Sequence, residues 1–129
     1  MADIEVRGSK IEGRGVFALR DFKEGETVLK WKVSKQISKE EFGRLSKGEK
    51  RHVSFHCEKY NILPVPEKYV NHSCNPNTFT QDFSDVAKRD ICKGEEITSD
   101  YTEDLPPGEE IKCNCGEKGC LGVIIWKKQ

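Results

Sequence analysis

Residues Tyr69–Phe79 read YVNHSCNPNTF. An Asn-His pair, a lone cysteine and an Asn-Pro-Asn turn interrupt what would otherwise extend as a strand, and nothing nearby completes a disulfide or a metal site. A role for Cys74 is found further along the chain, in CNCGEKGC at 113–120. There Gly116 and Gly119 let the backbone curl so that the sulfurs of Cys113, Cys115 and Cys120 converge. Zn²⁺ takes four ligands in a tetrahedron, so this cluster is one short. Cys74 is the natural fourth. Cys57 and Cys92 compete, but both sit in apolar-flanked strand or turn positions, where a small buried thiol is the commoner state. A closed site of this kind has no open coordination position, so its metal fastens the C-terminal tail to the NHSC loop instead of performing chemistry.

The 129 residues suit one domain with a real core and leave no room for a second module. Lys plus Arg equals Asp plus Glu at 22 each, so the overall field does not attract nucleic acid or anionic membrane, and a basic partner must be read by a local cleft. No apolar h-region opens the chain and no apolar run approaches the roughly 20 residues of a bilayer span, which reads as a soluble intracellular protein. In that setting the sequon Asn71-His72-Ser73 has no consequence, and six cysteines read better as thiolates than as three disulfides.

The pattern is strand-rich: alternation over Thr27–Val33 and apolar-ended runs at Val53–Cys57 and Tyr60–Leu63, joined by charged, glycine-bearing turns. One helix has a defined start, with Ser38 and Glu41 as a capping box and Ile37 and Phe42 at the staple positions; Gly43 and Gly48 keep it short. ALRDFKEGETV at 18–28 and AKRDICKGEEI at 87–97 share one pattern, read as strand, turn, strand with Gly25 and Gly94 at the bend. Two copies are too few for a solenoid.

GRGVFA at 13–18 matches the dinucleotide fingerprint letter for letter. It lacks the βαβ context, because Gly15 leads into the strand-like VFALRDF and the chain is too short for a doubly wound sheet. IEGR at 11–14 also resembles a protease-tag remnant, but Val16–Ala18 continue the domain without a break. GEEITSDY at 94–101 ends a strand on Tyr101, a position usually given to half-buried packing, and a loop histidine such as His72 is more often hydrogen-bonded than a base.

Taken together, GRGVFA, YVNHSCNPN, GEEITSDY and CNCGEKGCLGVI occur in the order and spacing of the SET-domain protein-lysine methyltransferases with a zinc-binding post-SET tail, and the resemblance runs from about Ile4 to Ile125. It implies a mainly β fold of several small sheets with few short helices, a SET domain over 1–110 and a zinc-binding tail over 111–129 packed on it as one folding unit. In such a fold the NHSC segment and the strand ending at Tyr101 form a pseudo-knot, a rare kind of threading. It further implies S-adenosylmethionine as cofactor, held by Gly13, Arg14, Gly15, Tyr69, Asn71 and His72, with Leu121 of the tail beside the adenine. Zinc would be held by Cys74, Cys113, Cys115 and Cys120, so that Cys74 tethers the tail that completes the lysine channel.

The reaction this resemblance implies is in-line displacement by a neutral lysine amine on the methyl carbon of a sulfonium ion. A free lysine, with a pKa of about 10.4, is protonated at neutral pH. A nearby positive sulfonium and an apolar channel both lower that pKa, and a narrow channel aligns the amine. Tyr101 matches the family's catalytic tyrosine. Ser99 stands where histone-modifying members carry Phe or Tyr, Trp31 where many carry Tyr, and Lys68 where many carry Arg, so the channel walls formed by Trp31 and Ser99 differ from the family pattern. The implied partner is a protein presenting a lysine, a histone tail or another basic protein, with no direct nucleic-acid or membrane contact. The rivals are an idle SET-like zinc module for protein binding, opposed by retention of Asn71 and Tyr101, and a zinc-ribbon nucleic-acid binder, opposed by zero net charge and a single cysteine cluster.

Overall fold

The computed structural model describes residues 3–32, 35–56, 58–103, 105–113, 120 and 122–125. Among these, the expected β-rich pattern resolves into four small sheets. In the first, β1 (Ile4–Gly8) and β2 (Arg14–Ala18) form a hairpin, β10 (Glu96–Ser99) runs antiparallel to β2, and β7 (Asn71–His72) completes the order β1-β2-β10-β7. A second sheet has the order β3 (Thr27–Lys30), β9 (Ser84–Ala87), β8 (Thr78–Thr80), and a third the order β4 (Lys35–Ile37), β6 (Lys59–Ile62), β5 (Val53–His56). The fourth is the pair β11 (Glu110–Lys112) and β12 (Val123–Ile125). GRGVFA is thus hairpin turn and strand with no helix behind it, which disposes of the dinucleotide fingerprint.

β7 and β10 lie parallel, with Asn71 opposite Thr98 and His72 opposite Ser99. Parallel neighbours need a crossover connection, here the β8–β9 hairpin and the turn after it. The Asn-Pro-Asn turn at the end of the NHSC segment continues that pairing with side chains. Buried Asn77 accepts from Thr98 N–H at 2.9 Å and donates to the Glu96 carbonyl at 2.8 Å, and Thr78 Oγ1 donates to the Thr98 carbonyl. An amide side chain that accepts and donates at once substitutes for a backbone peptide where proline has ended the strand.

The internal echo proves to be a pair of turns locked onto each other. Phe22 and Ile91 exchange both backbone hydrogen bonds at 2.8 Å. Gly25 N–H reaches the Ala87 carbonyl and Gly94 N–H the Ala18 carbonyl, each at 2.8 Å, while Asp90 accepts from Glu24 N–H and Asp21 from Lys93 N–H. Both glycines have φ near +90°, where a side chain would be strained. The two copies recur because each supplies the partner groups the other needs.

The helix α1 (Lys39–Gly43) has the expected capping box, Ser38 Oγ accepting from Glu41 N–H and Glu41 Oε1 from Ser38 N–H. Buried Phe42 stacks on Tyr60 with centroids 4.8 Å apart. Gly48, expected as a stop, instead lies inside a second turn, α2 (Lys47–Lys50), capped by Ser46 and Glu49 in the same way. A glycine costs about 1 kcal/mol in a helix and a cap returns about as much, so in a single turn the caps decide.

The main core joins Val16, Ala18, Val28, Ala87 and Ile97 of the first two sheets to Phe22 and Ile91 of the paired turns and to Val70. A smaller one, Leu105, Cys113 and Ile124, lies against Tyr101 and Cys120 and docks the β11–β12 pair beside the end of β10.

Candidate active site and metal cluster

A cleft of about 490 Å³ opens where these elements meet, lined by Trp31, Arg51, Ser54, Val70, Ser99 and Tyr101 among others. Tyr101 begins the 3-10 turn Tyr101–Glu103 directly after β10, so the strand end aims its ring into the cleft. Its hydroxyl donates to the Val70 carbonyl, and burial pushes the phenol well above its ordinary pKa. The phenol therefore stays protonated and keeps its proton on that carbonyl, and its oxygen lone pairs are what it can offer a ligand. The expected channel residues, Trp31 and Ser99, both line this space.

Two further lining residues carried no sequence signal. Asp85 is 2% exposed and accepts from the Trp31 indole N–H at 2.9 Å, which fixes the tryptophan against the wall. Ser54 keeps its Oγ buried without a hydrogen-bond partner among the described residues. An orphaned hydroxyl at a cleft wall costs about 1–3 kcal/mol unless something entering the cleft satisfies it.

Beside the cleft, Asn71 holds the β1–β2 turn. Its Nδ2 lies 2.9 Å from the Arg14 carbonyl, 2.9 Å from Glu96 Oε2, 3.2 Å from the Glu12 carbonyl and 3.2 Å from Ser9 Oγ. All four can accept, so the amide nitrogen faces them and Oδ1 faces away. Ser9 Oγ donates to the Glu96 carboxylate as well, at 2.7 Å. A Cβ placed on Gly15 would fall 2.4 Å from Glu96 Oε2, so the strand needs glycine there for the carboxylate to reach Ser9 and Asn71. Gly13 has φ +29° at the turn itself. Gly13, Arg14, Gly15 and Asn71 are thereby brought together as one cradle. Tyr69, expected to join them, packs its ring against the main core and beneath Lys68 Nζ, 5.3 Å from the centroid.

His72 is 6% exposed and both ring nitrogens are engaged: Nδ1 accepts from Tyr101 N–H at 3.0 Å, and Nε2 lies 3.5 Å from Cys74 Sγ. Burial lowers its pKa, with Asp100 opposing and Arg51 reinforcing the shift.

The cysteine cluster forms in part within the described residues. Cys74 Sγ lies 3.9 Å from Cys113 Sγ, and Cys113 Sγ lies 3.3 Å from Cys120 Sγ. Zinc–sulfur bonds of about 2.3 Å set the edges of a tetrahedron at about 3.8 Å, which the Cys74–Cys113 pair matches and the Cys113–Cys120 pair undercuts. A disulfide would bring two sulfurs to about 2.05 Å. Cys115, the remaining expected ligand, lies outside the described residues, as do Leu121 and the competitor Cys57. Cys92 is exposed on the second echo turn, not the buried thiol its neighbours suggested. The turn points it outward because Ile91, its neighbour, takes the inward position.

A family model described as the SET domain matches residues 13–102. The chain belongs to the SET domain family. It is 33% identical over 148 residues to a histone-lysine N-methyltransferase, H3 lysine-36 specific, from Candida glabrata, covering 99% of this chain and 20% of that protein. It is 28% identical over 145 residues to the protein of the same description from Candida albicans, covering 98% and 17% respectively. A Plasmodium falciparum variant-silencing SET domain-containing protein is 27% identical over 148 residues, with 98% of this chain and 6% of that one covered. The chain thus spans a fifth or less of these relatives' length. The fold matches that of the methyltransferase domain of human histone-lysine N-methyltransferase SETMAR with a TM-score of 0.74 at 19% identity, covering 95% of this chain and 58% of that one. Among the described residues, no helix is long and apolar enough to cross a membrane.

Proposed function

We propose that this chain is an S-adenosylmethionine-dependent protein-lysine N-methyltransferase whose acceptor is the ε-amine of a lysine in a histone or other basic protein. The observation that carries the reading is the Tyr101 hydroxyl, placed in the cleft beside the Asn71 cradle with its proton committed to the Val70 carbonyl. Family membership and the relatives' descriptions support the same reading.

The cradle fits the cofactor. Its glycine strand allows close backbone approach, and Asn71 Oδ1 is the acceptor suited to an ammonium group at a methionine end. When bound, the cofactor supplies an electrophilic methyl carbon on a positive sulfonium. What the chain itself does is hold and orient the acceptor amine. With its own proton engaged, the Tyr101 oxygen accepts an N–H from a lysine, and this turns the amine lone pair along the cleft. Val53, Val70 and Leu105 line the same space and favour the neutral amine by excluding water. Ser99 leaves volume where family members carry an aromatic ring, which suits transfer of more than one methyl group. Zinc in the cysteine cluster would act structurally, tying β11 to the NHSC loop through Cys74 and Cys113, so that residues 1–110 and the tail 111–129 behave as one folding unit.

Tyr101→Phe tests the reading. The ring and its packing stay, so cofactor affinity by calorimetry is expected to change little while methyl transfer falls on the order of 10²-fold or more. Full transfer activity in the variant would remove Tyr101 from the mechanism, and no cofactor binding by the wild-type chain would remove the function.

A further inference from the structure

His72 is the buried titratable group for which the cleft chemistry has no use, and it stands between the two functional parts of the molecule. On one side is the backbone of Tyr101, whose N–H lies 3.0 Å from Nδ1. On the other is Cys74 Sγ, 3.5 Å from Nε2 and 3.9 Å from Cys113 Sγ. A peptide N–H can only donate, so Nδ1 carries no proton. In a neutral imidazole the proton then sits on Nε2, and that nitrogen donates toward the sulfur. The ring is also held in place by its neighbours, with Tyr101 tilted against it at 5.5 Å between centroids and β10 pairing with β7 at Ser99.

We infer that His72 is a positioning residue that couples the thiolate cluster to Tyr101, donating from Nε2 to Cys74 Sγ while Nδ1 fixes the Tyr101 backbone at the start of its turn. The reasoning is that of a metal site's outer shell, in which a hydrogen bond to a ligand atom both orients the ligand and transmits its state. A metal-bound thiolate is a much better acceptor than a neutral thiol, so loading the cluster stiffens the imidazole, and the imidazole stiffens the peptide that presents the phenol. On this account the metal does more than close the tail: it sets the register of the tyrosine by way of a single ring. The competing arrangement is direct coordination by His72, whose nitrogen, Cys74 Sγ and Cys113 Sγ lie within 4.8 Å of one another. Nε2 would then carry no proton. The inference rests on zinc occupying the cluster, as in the reading above, but does not depend on methyl transfer.

The test uses the zinc-loaded chain with ¹⁵N-labelled histidine. Nitrogen NMR is expected to show the His72 ring locked with a proton on Nε2 and none on Nδ1. A bare or metal-bound Nε2, or tautomers in rapid exchange, would overturn the inference. In hydrogen exchange, chelation of zinc is expected to speed the Tyr101 amide at least tenfold. In His72→Phe, which keeps a ring but has neither nitrogen, that amide is expected to exchange fast and equally with and without zinc while the metal is retained. A Tyr101 amide indifferent to zinc in the wild type, or a full zinc response in His72→Phe, would refute the coupling. Should the variant not fold, the wild-type tautomer and the wild-type zinc response still decide. Because neither readout involves turnover, failure of the coupling and failure of the methyltransferase reading are separable.

Discussion

Replacing Asn71 with aspartate is the sharpest perturbation this architecture offers, because it changes one atom type at a point where four acceptors converge. The amide has two N–H groups, and the shortest contacts give them to the Arg14 carbonyl and to Glu96 Oε2, both at 2.9 Å. Losing one neutral and one charge-assisted hydrogen bond costs about 2.5–4 kcal/mol, which is the expected effect of Asn71→Ala. Aspartate adds a second carboxylate in place of the donor. Two unit charges 2.9 Å apart repel by about 6 kcal/mol at an effective dielectric of 20 and by about 1.5 kcal/mol in water. Glu96 is half-buried, so the added penalty falls between these, and the total is a large share of the 5–15 kcal/mol that holds a typical domain together. Urea unfolding followed by circular dichroism is expected to rank wild type above Asn71→Ala and Asn71→Asp last at pH 7. Were Asn71 present only to offer an oxygen to a cofactor, aspartate would be the milder change. An Asn71→Asp chain as stable as Asn71→Ala would therefore refute the clamp.

Other outcomes follow from the same geometry. Elemental analysis is expected to find about one zinc per chain, lost in Cys74→Ser and Cys113→Ser and retained in Cys92→Ser, whose thiol is exposed on a distant turn; release of metal by the Cys92 change would put the cluster elsewhere. Gly15→Ala forces Glu96 off Ser9 and Asn71, so cofactor affinity by calorimetry is expected to fall at least tenfold, and an unchanged affinity would separate the Gly15 strand from the cofactor. Ser99→Tyr fills the space beside the amine, so intact-mass analysis of a methylated peptide is expected to shift from multiply to singly methylated product. A wild-type chain that stops at one methyl would remove the argument from the small side chain.

Local signals were enough for the elements and for the parts list. Ser38 and Glu41 announce α1 because a capping box is satisfied within four residues of chain, and Gly25 and Gly94 mark their turns because only glycine takes φ near +90° freely. The motif order placed Tyr101, Asn71 and Cys74 in a single family, since each motif carries its own chemistry in consecutive residues. α2 carries the same local signature, since Ser46 and Glu49 form a second capping box whose hydrogen bonds offset the glycine at 48.

What only the tertiary structure decided are the contacts between residues far apart in the chain. The echo at 18–28 and 87–97 is visible as a repeat, but that Asp21 and Asp90 cap each other's turns follows from bringing together segments about 70 residues apart. Ser54 sits in a run that reads as ordinary strand and Asp85 outside any run the pattern marks, and they become cleft walls because the second and third sheets meet beside Trp31. That the His72 ring nitrogens lie against Tyr101 N–H and Cys74 Sγ follows from the parallel register of β7 on β10. The physical reason is common to all of these. Capping, turn geometry and hydrophobic period are energies of neighbouring residues and are written locally, whereas a hydrogen bond across the core depends on which strand lies beside which, and that is set by burial of the whole chain at once.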